Sequence, residues 1–424
     1  MRQIEKQVAI LGGGCAALWL LYELSQRGFE AILIDHHMIG KFASTRNQSW
    51  LHTGALYAVS ASKQESSLLH LAKTCRSEFP RVRQFCEKYV PNAIDHKSAC
   101  LFLFSDHESS VQAAARVTQL GIGCRELKTS EIIAREPGLF DASPPLGMRT
   151  APTAGFETDD FPFDSNAILV AVAQRAARMG GDFLQVQRPL NELRYDRIDN
   201  SWNIEDDQHQ IRAQICVCAS GALIPEFGEM FAIRTGNAAF EIQKCIVAVL
   251  HKRICTNIIV FRDLLSNYLN LVPFEWGTTV NMGASDRQRA SVGDLLIEPQ
   301  KYKEFADKLF LFTPGVTQQV PIPCHFYICQ KLGNVNDSSH PVSSFGHRHY
   351  FWREEQENFF LFYAGKFTLS WAAARSLLDH LATLLDRPRT LAQVSDPPPI
   401  SPRPYFGSPS HTLKSNDLGE IQIT

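Results

Sequence analysis

The chain has 424 residues, enough for two or three domains with substantial cores. Hydrophobic residues make up 45% and charged residues 20%, as in ordinary globular proteins. Because the net charge is only −2, we expect neither nucleic acid nor an anionic membrane as a partner. There is neither a signal-peptide pattern nor an apolar run near the ~20 residues of an integral membrane segment, so we expect a cytoplasmic protein. The 11 scattered cysteines predict reduced thiols and no metal site.

Residues 8–35 predict a strand, a glycine turn, a helix and a second strand. Gly12, Gly14 and Ala17 fit the pattern G-x-G-x-x-G/A, which allows a tight turn and close approach of the backbone to a pyrophosphate. The N-terminus of the helix would face that phosphate. Asp35 closes the second strand, where a carboxylate can accept hydrogen bonds from both hydroxyls of an adenosine ribose. The stretch therefore predicts dinucleotide binding.

Residues 42–58 are too rich in small and polar residues for a core element and too poor in charge for a disordered linker. This composition predicts a loop that lies against a polar ligand. The patterns that follow predict, in chain order, a helix at 65–89 broken or kinked near Pro80, a strand at 98–106, helices at 111–119 and 129–135, a loop at 155–164, a helix at 165–179, and strands at 183–187 and 211–219.

From about residue 230 the sequence becomes rich in β-type patterns, which predicts an antiparallel sheet and hence a second domain. Residues 358–365 return to the buried, parallel type of strand and precede a helix at 368–385. The tail at 391–424 is rich in Pro and Ser, so we expect it to be disordered. The β-rich part predicts strands at 240–250, 257–261, 268–272, 278–283 and 323–329, interrupted by a helix at 298–311.

Three further blocks follow residues 12–35 along the chain, at 44–54, 219–222 and 365–368. Together the four blocks, which span about residues 5–390, resemble the FAD-dependent oxidoreductases of the D-amino-acid-oxidase superfamily. The glycerol-3-phosphate dehydrogenase and L-2-hydroxyglutarate dehydrogenase branches are the most similar in their motifs. Residues 12–35 are similar to the FAD fingerprint of the family, 44–54 to its S-x-R-x-S…H-x-G loop, 219–222 to its A-x-G-A segment and 365–368 to its G-G-K-x-T block. The chain carries one glycine fingerprint and no C-x-x-C, so we expect an organic substrate to reduce the cofactor.

The resemblance implies an α/β fold, in which an FAD-binding Rossmann-like three-layer domain is interleaved with an antiparallel-sheet substrate domain. The first would comprise residues 1–85, 151–225 and 345–390, and the second 86–150 and 226–344. It also implies an FAD site made by Gly12, Gly14, Cys15, Ala16, Ala17, Asp35, His36, Ser44, Thr45, Arg46, Asn47, Gln48, Leu190, Ala219, Ser220, Gly221, Gly365, Lys366, Phe367 and Thr368.

The resemblance further implies that His52 and Tyr57 lie near the reacting carbon, while Arg348 and Lys366 hold an anionic substrate or the reduced flavin. A helix N-terminus with a lysine beside it would stabilise the negative charge of a reduced flavin. Arg353 is an alternative to Arg348. Whether the flavin is attached covalently to His52 stays open.

Two departures from the family pattern affect the expected substrate. The L-R-Y of the glycerophosphate branch is here Ala55-Leu56-Tyr57, without the arginine that meets the substrate phosphate. A carboxylate, or a neutral alcohol or amine, is therefore favoured over a phosphate ester. Trp371 lies close to the start of the last helix, where we expect it to crowd and reshape the pocket.

The sequence therefore predicts an enzyme that transfers a hydride from a small-molecule substrate, such as a hydroxy acid or another alcohol, to flavin N5. Oxidation of an amine or amino acid at a C–N bond is one alternative, and a non-catalytic FAD-binding scaffold or sensor is another. The electron acceptor stays open among oxygen, a quinone and a carrier protein.

Overall fold

The structure is a computed structural model that describes residues 2–61, 66–140, 152–231, 240–262, 268–275, 277–281, 299–313, 322–334, 350–385, 411–413 and 422–423. The strands are β1 (Arg2–Leu11), β2 (Ala31–Asp35), β3 (Trp50–Leu51), β4 (Cys100–Phe104), β5 (Cys124–Lys128), β6 (Ala154–Thr158), β7 (Phe161–Pro162), β8 (Asp182–Gln185), β9 (Glu192–Asp196), β10 (Ser201–Glu205), β11 (His209–Cys218), β12 (Phe240–Leu250), β13 (Ile258–Arg262), β14 (Tyr268–Phe274), β15 (Gly277–Asn281), β16 (Ile322–Asn334), β17 (Tyr350–Gln356), β18 (Phe359–Ala364), β19 (His411–Leu413) and β20 (Gln422–Ile423). The helices are α1 (Cys15–Gln26), α2 (Ala55–Ser60), α3 (Ser66–Tyr89), α4 (His107–Gln119), α5 (Thr129–Arg135), α6 (Pro137–Phe140), α7 (Ser165–Arg178), α8 (Ile224–Met230), α9 (Pro299–Phe312) and α10 (Phe367–Leu384).

The first sheet has the strand order β17-β18-β11-β1-β2-β8, with β10 and β9 paired beside β11. Its strands β18, β11, β1, β2 and β8 are all parallel. The apolar runs of the four inner strands, β18, β11, β1 and β2, are buried on both faces, as parallel strands require. One face packs against α1, α7 and α10, and the other against β9, β10 and α8. The register pairs Leu11 with Cys218 and Cys218 with Leu361, so the turns that follow β1, β11 and β18 meet at one edge.

The second sheet has the order β20-β19-β16-β12-β15-β14-β13-β4-β6-β5 and is antiparallel except between β4 and β13. Alternation along β4 shows its two faces. Leu101 and Leu103 point into a core shared with α9, whereas Phe102 and Phe104 point into a core shared with α2, α3 and α4. The second face therefore lies toward the first sheet, since Leu369 of α10 belongs to the same core.

The predicted fold class is confirmed, including the interleaving of the two sheets along the chain. Residues 155–164 are not a loop of the first domain, because 154–158 form β6 of the second sheet and pair with β4. Residues 42–58 are not all loop either, since they contain β3 and most of α2. The helix at 66–89 continues through Pro80. We propose the division of the chain into an FAD-binding domain and a substrate domain as given above, except that residues 154–158 belong to the substrate domain.

The expectation of a disordered tail is wrong for the five residues of it that the structure describes. Residues 411–413 pair with β16, and 422–423 pair with 411–412, so both segments extend the edge of the second sheet. Backbone hydrogen bonds to an existing edge strand order a short segment even where few apolar residues are present.

Trp371 does not crowd a pocket at the start of α10, as the sequence suggested. Its ring stacks on Trp19 with the ring centroids 4.4 Å apart, and its indole N–H donates to the Glu23 carboxylate. It also meets the edge of Phe85. On an α-helix, one residue turns the side chain by about 100°, so Trp371 faces α1 and α3 while Ser370 faces the cavity.

In the part of the chain that the structure describes, none of the helices combines the length and apolar character that crossing a bilayer requires.

Candidate active site

A cavity of about 1030 Å³ lies where the edge formed by the turns after β1, β11 and β18 faces the second sheet. Ligand pockets in proteins commonly measure about 300–1,000 Å³, so this one is large enough for a large cofactor and a small substrate. Both sheets contribute to its walls, and loop 44–54 runs between them.

The N-terminus of α1 opens into this cavity through a close backbone contact. Gly12 has φ +112°, and a Cβ there would lie 2.9 Å from the carbonyl oxygen of Ala219, so only glycine fits. Gly14 caps α1 without a side-chain hydrogen bond, and the Cys15 N–H donates to Ser44 Oγ at 2.8 Å. The helix therefore presents its positive end and backbone N–H groups to the cavity, which suits a pyrophosphate.

Asp35 lies beside this turn in a fixed orientation. Its Oδ2 accepts from the Gly13 N–H at 2.5 Å, and its Oδ1 accepts from the His37 N–H at 2.8 Å. Burial raises the pKa of Asp35, although those two hydrogen bonds and nearby His36 oppose the change. A carboxylate oxygen has two lone pairs, so each can still accept from a ribose hydroxyl.

Two adjacent imidazoles line the cavity next to Asp35. The rings of His36 and His37 lie 3.6 Å apart, and Lys41 Nζ is 3.0 Å from His37 Nδ1. Burial, together with the neighbouring His36 and Lys41, lowers the pKa of His37 to about 4. His37 is therefore neutral at physiological pH, and its ring offers a stacking surface rather than a charge.

Loop 44–54 is tied to the second sheet by hydrogen bonds to its backbone. The Thr279 hydroxyl donates to the Gln48 carbonyl at 2.9 Å, and the Tyr327 hydroxyl donates to the Asn47 carbonyl at 2.9 Å. Because Ser44 also bonds to the start of α1, this loop connects the cofactor turn to the opposite wall.

The carboxylate of Asp160 holds the C-terminal end of loop 44–54 in place. It is 1% exposed, and its Oδ1 accepts from the Thr53 N–H at 2.6 Å while its Oδ2 accepts from the Trp50 indole at 3.2 Å. Burial raises its pKa to about 6, against the effect of these hydrogen bonds. Asp160 thus holds both residues that flank the Leu51-His52 segment. Sequence reasoning missed it, although an acidic pair among apolar residues at 159–160 was a visible signal.

Three predicted catalytic residues meet at the start of α10. His52 Nε2 lies 3.3 Å from the Tyr57 hydroxyl, and Lys366 Nζ lies 5.3 Å from the centre of the Tyr57 ring. Lys366 is also the N-cap of α10 and makes no side-chain cap, so this second helix N-terminus opens into the same cavity. The arrangement places a positive helix end, an ammonium group, a phenol and an imidazole together.

Arg348 falls outside the described residues, so its position stays a prediction. Arg353 does not line the cavity, because it lies on the edge strand β17 and forms an ion pair with Glu355. Ala17 is fully buried in the α1 core, and Thr45 donates to the Gly40 carbonyl, so neither lines the cavity. The other predicted residues line it: Gly12, Gly14, Cys15, Ala16, Asp35, His36, Ser44, Arg46, Asn47, Gln48, His52, Tyr57, Leu190, Ala219, Ser220, Gly221, Gly365, Lys366, Phe367 and Thr368.

Sequence reasoning missed the polar side chains of the second sheet. Arg262, Asn270 and Asn281 lie on β13, β14 and β15 and line the cavity opposite the cofactor turn. Each stands in or at the end of an apolar strand, where the local pattern does not distinguish a cavity wall from an exposed edge.

A family model described as DAO, FAD dependent oxidoreductase, matches residues 7–380. The chain belongs to this family. It is therefore an FAD-dependent oxidoreductase, and FAD is its cofactor.

Curated relatives match parts of the chain. It is 27% identical over 140 residues to one subunit of the anaerobic glycerol-3-phosphate dehydrogenase of Escherichia coli (strain K12), covering 32% of this chain and 24% of that protein. It is 21% identical over 264 residues to the mitochondrial dimethylglycine dehydrogenase of Homo sapiens, covering 62% and 29%. The chain thus matches less than a third of the length of either relative.

Solved structures match nearly the whole chain. Glycine oxidase from Geobacillus kaustophilus superposes with a TM-score of 0.67 at 14% identity, covering 92% of this chain and 99% of that one. L-proline dehydrogenase from P. horikoshii superposes with a TM-score of 0.63 at 15% identity, covering 91% and 96%. At such identities the likeness shows the fold alone.

The residues of the cavity fit FAD. Two helix N-termini without side-chain caps open into one cavity, and each suits a negatively charged part of the cofactor. The α1 terminus would hold the pyrophosphate, Asp35 the ribose, and the α10 terminus with Lys366 the flavin.

We predict that Gly14→Glu abolishes FAD binding without unfolding the protein. A Cβ at Gly14 meets only Ser44 Oγ within 4 Å, at 3.4 Å, which is an ordinary contact, so the first atom of a side chain fits there. Its carboxylate would repel the pyrophosphate, which weakens FAD binding at least about 100-fold. Flavin absorbance after reconstitution measures this, with Gly14→Ala as the control. Normal FAD content in Gly14→Glu would contradict the placement of the pyrophosphate.

A second prediction concerns pH. Since the pKa of Asp160 is about 6 in the folded state and ordinarily 3.8, folding favours the protonated form. Its contribution to stability therefore grows as the pH falls through 6 and is lost as the pH rises. Between pH 7 and pH 5, wild type should gain about 1 kcal/mol of unfolding free energy relative to Asp160→Asn. Urea denaturation of both proteins at the two pH values measures this difference. An unchanged difference would show that Asp160 titrates normally.

Proposed function

We propose that this FAD-dependent oxidoreductase oxidises a small hydroxy acid. When bound, FAD would supply the acceptor for a hydride from the substrate carbon. The residues of the chain hold the acid group, orient the carbon and take up the hydroxyl proton. The observation that carries this proposal is the positive charge of Lys366 and Arg262 in the part of the cavity next to α2.

Two cationic side chains, Arg262 and Lys366, each contact a residue of α2. Arg262 Nη2 donates to Ser60 Oγ at the end of α2, and Tyr57, one turn earlier, lies under Lys366. Among the described lining residues the only carboxylates are Asp35, the last residue of β2, and Glu226, which lies on α8 after β11. A carboxylate of the substrate would therefore find counter-charges here, with Arg262 able to bind it in a bidentate manner.

Leu56 supports a carboxylate rather than a phosphate ester. It lines the cavity at the position where the glycerol-3-phosphate dehydrogenase branch carries its phosphate-binding arginine. An apolar side chain there leaves a dianionic phosphate without that partner.

We assign uptake of the hydroxyl proton to His52. An alcohol must lose this proton as the hydride leaves, and an imidazole has an ordinary pKa near neutral pH. The Tyr57 hydroxyl next to Nε2 orients the ring. Orientation of the substrate by the two cations contributes the larger part of the rate, since the carbon must lie about 3–3.5 Å from its acceptor.

Amine oxidation is the second candidate. The similarity to dimethylglycine dehydrogenase covers 62% of this chain, about twice the share of the glycerol-3-phosphate dehydrogenase match. A neutral amine would also be compatible with a site that holds a carboxylate.

The test is anaerobic bleaching of the flavin by lactate, malate and 2-hydroxyglutarate, compared with alanine, proline and dimethylglycine. We expect hydroxy acids to bleach the flavin and 2-oxo acids to accumulate. Bleaching by the amino acids alone, with release of ammonia or an aldehyde, would establish the second candidate instead. Reoxidation by oxygen, a quinone or a carrier protein then identifies the acceptor class.

We predict that Lys366→Met keeps FAD bound but slows anaerobic flavin reduction about 100-fold, the effect of losing one electrostatic stabiliser. Stopped-flow absorbance measures the reduction rate. Lys301→Met is the control, because Lys301 lies on α9 and pairs with Glu304 away from the cavity. A wild-type rate in Lys366→Met would assign this lysine no role in the reaction.

A further inference from the structure

Two cysteines that are distant in sequence face each other in the wall of the cavity. Cys245 on β12 and Cys329 on β16 are direct cross-strand partners, so their side chains lie on the same face of the second sheet. Both line the cavity, both are free thiols, and they are 7% and 2% exposed. Among the strand pairings that the structure describes, no other brings two cysteines together.

The face that carries the two thiols is turned toward loop 44–54. The next partners along this face are Val247 and Tyr327, two residues beyond Cys245 and two before Cys329. Val247 lines the cavity, and the Tyr327 hydroxyl donates to the backbone of the loop. The thiols therefore lie on the cavity side of the sheet and not in the core that its other face shares with α9.

The spacing of such partners suits a disulfide. Residues directly opposite in an antiparallel pair have Cα atoms about 4.5–5.5 Å apart, and disulfides join Cα atoms about 4.4–6.8 Å apart. A continuous run of pairs, from Phe240 with Asn334 to Leu250 with Cys324, holds the two strands in this register. The two sulfurs can therefore bond with little movement of the main chain.

A guanidinium group favours ionisation of one of the thiols. Burial lowers the pKa of Arg46, and the neighbouring Cys329 and Tyr327 oppose that change. Because this attraction is mutual, Arg46 favours the thiolate of Cys329, which is the form that oxidants attack. Cys15 also lines the cavity, but burial raises the pKa of its thiol to about 12, so it stays protonated.

We propose that Cys245 and Cys329 are a redox pair that hydrogen peroxide converts into a cross-strand disulfide in the wall of the cavity. Hydrogen peroxide is small enough to enter beside a bound cofactor. It is also the product when oxygen takes two electrons from a reduced flavin, and oxygen is one candidate acceptor for this enzyme. The pair is independent of the substrate and so goes beyond the proposed function.

The oxidation takes place in two steps. One thiolate attacks a peroxide oxygen, the O–O bond breaks, and a sulfenic acid and hydroxide form. The other sulfur then attacks the sulfenic sulfur, so that the S–S bond forms, the S–O bond breaks and a second hydroxide leaves. The two thiol protons convert both hydroxides to water, so two thiols lose two electrons and one peroxide becomes two waters. A dithiol reductant reverses the change by thiol–disulfide exchange.

The test uses the FAD-loaded full chain, which is reduced with dithiothreitol, desalted and treated with a small excess of hydrogen peroxide. Alkylation after denaturation, followed by mass spectrometry, counts the free thiols and locates any bridge. We expect wild type to lose two hydrogens and two alkylatable thiols, with one disulfide joining the peptides that contain Cys245 and Cys329. Dithiothreitol should restore both thiols.

Cys245→Ala removes one sulfur of the pair. Oxidation of Cys329 should then stop at a sulfenic acid, which dimedone traps. Cys324→Ala is the control, because Cys324 lies on the same strand but in the core of the opposite face, where burial raises the pKa of its thiol to about 12. This variant should form the bridge as wild type does.

Thermal stability provides a second readout. A bridge between residues that are distant in sequence restricts the unfolded chain, so peroxide should raise the Tm of wild type by about 5 °C. The same rise is expected in Cys324→Ala, and none in Cys245→Ala.

Three results would overturn the redox pair. The first is wild type without a disulfide at peroxide concentrations that oxidise free glutathione. The second is a bridge that involves any other cysteine. The third is the expected bridge together with a fall in Tm, which would show that the bonded sulfurs do not fit the native register of β12 and β16.

Discussion

The close approach between the turn after β1 and the segment after β11 is the constraint on which the site depends. A Cβ at Gly12 would lie 2.9 Å from the Ala219 carbonyl, so a backbone contact rather than a side chain sets the distance. It starts α1 at the sheet edge, and β18, on the other side of β11, starts α10 at the same edge. Two helix dipoles thus point into one cavity, where an anionic cofactor relieves the concentration of positive potential.

Loop 44–54 connects the start of α1 to the second sheet through hydrogen bonds. Its partners Thr279, Tyr327 and Asp160 all bond to backbone groups of the loop. These bonds therefore fix the loop through its main chain and do not involve the side chains of Arg46 and His52. Protonation of Asp160 would weaken the hold on Thr53, so the pH dependence predicted for stability also bears on the position of His52.

The parts of the site that local sequence predicts are those made by consecutive residues. A strand, a glycine turn and a helix within residues 8–35 determine one another, as do β18 and α10, and these elements lie close to where the patterns placed them. Trp371 shows the limit of such reasoning. Its distance along the chain from the helix start suggested crowding, but the direction of its side chain depends on packing against Trp19, which is distant in sequence. Likewise, 154–158 became a strand because β4 offered a partner.

The two sides of the cavity differ in how their functional groups are distributed along the sequence. The cofactor half uses backbone N–H groups and helix ends, which require glycines and small residues at fixed spacing and so produce a motif. The wall made by the second sheet carries Arg262, Asn270 and Asn281, one from each of three neighbouring strands, and the spacing of these residues along the chain depends on turn lengths rather than on ligand geometry. Such residues produce no local motif. This explains why the resemblance to a family indicated FAD but left the substrate open.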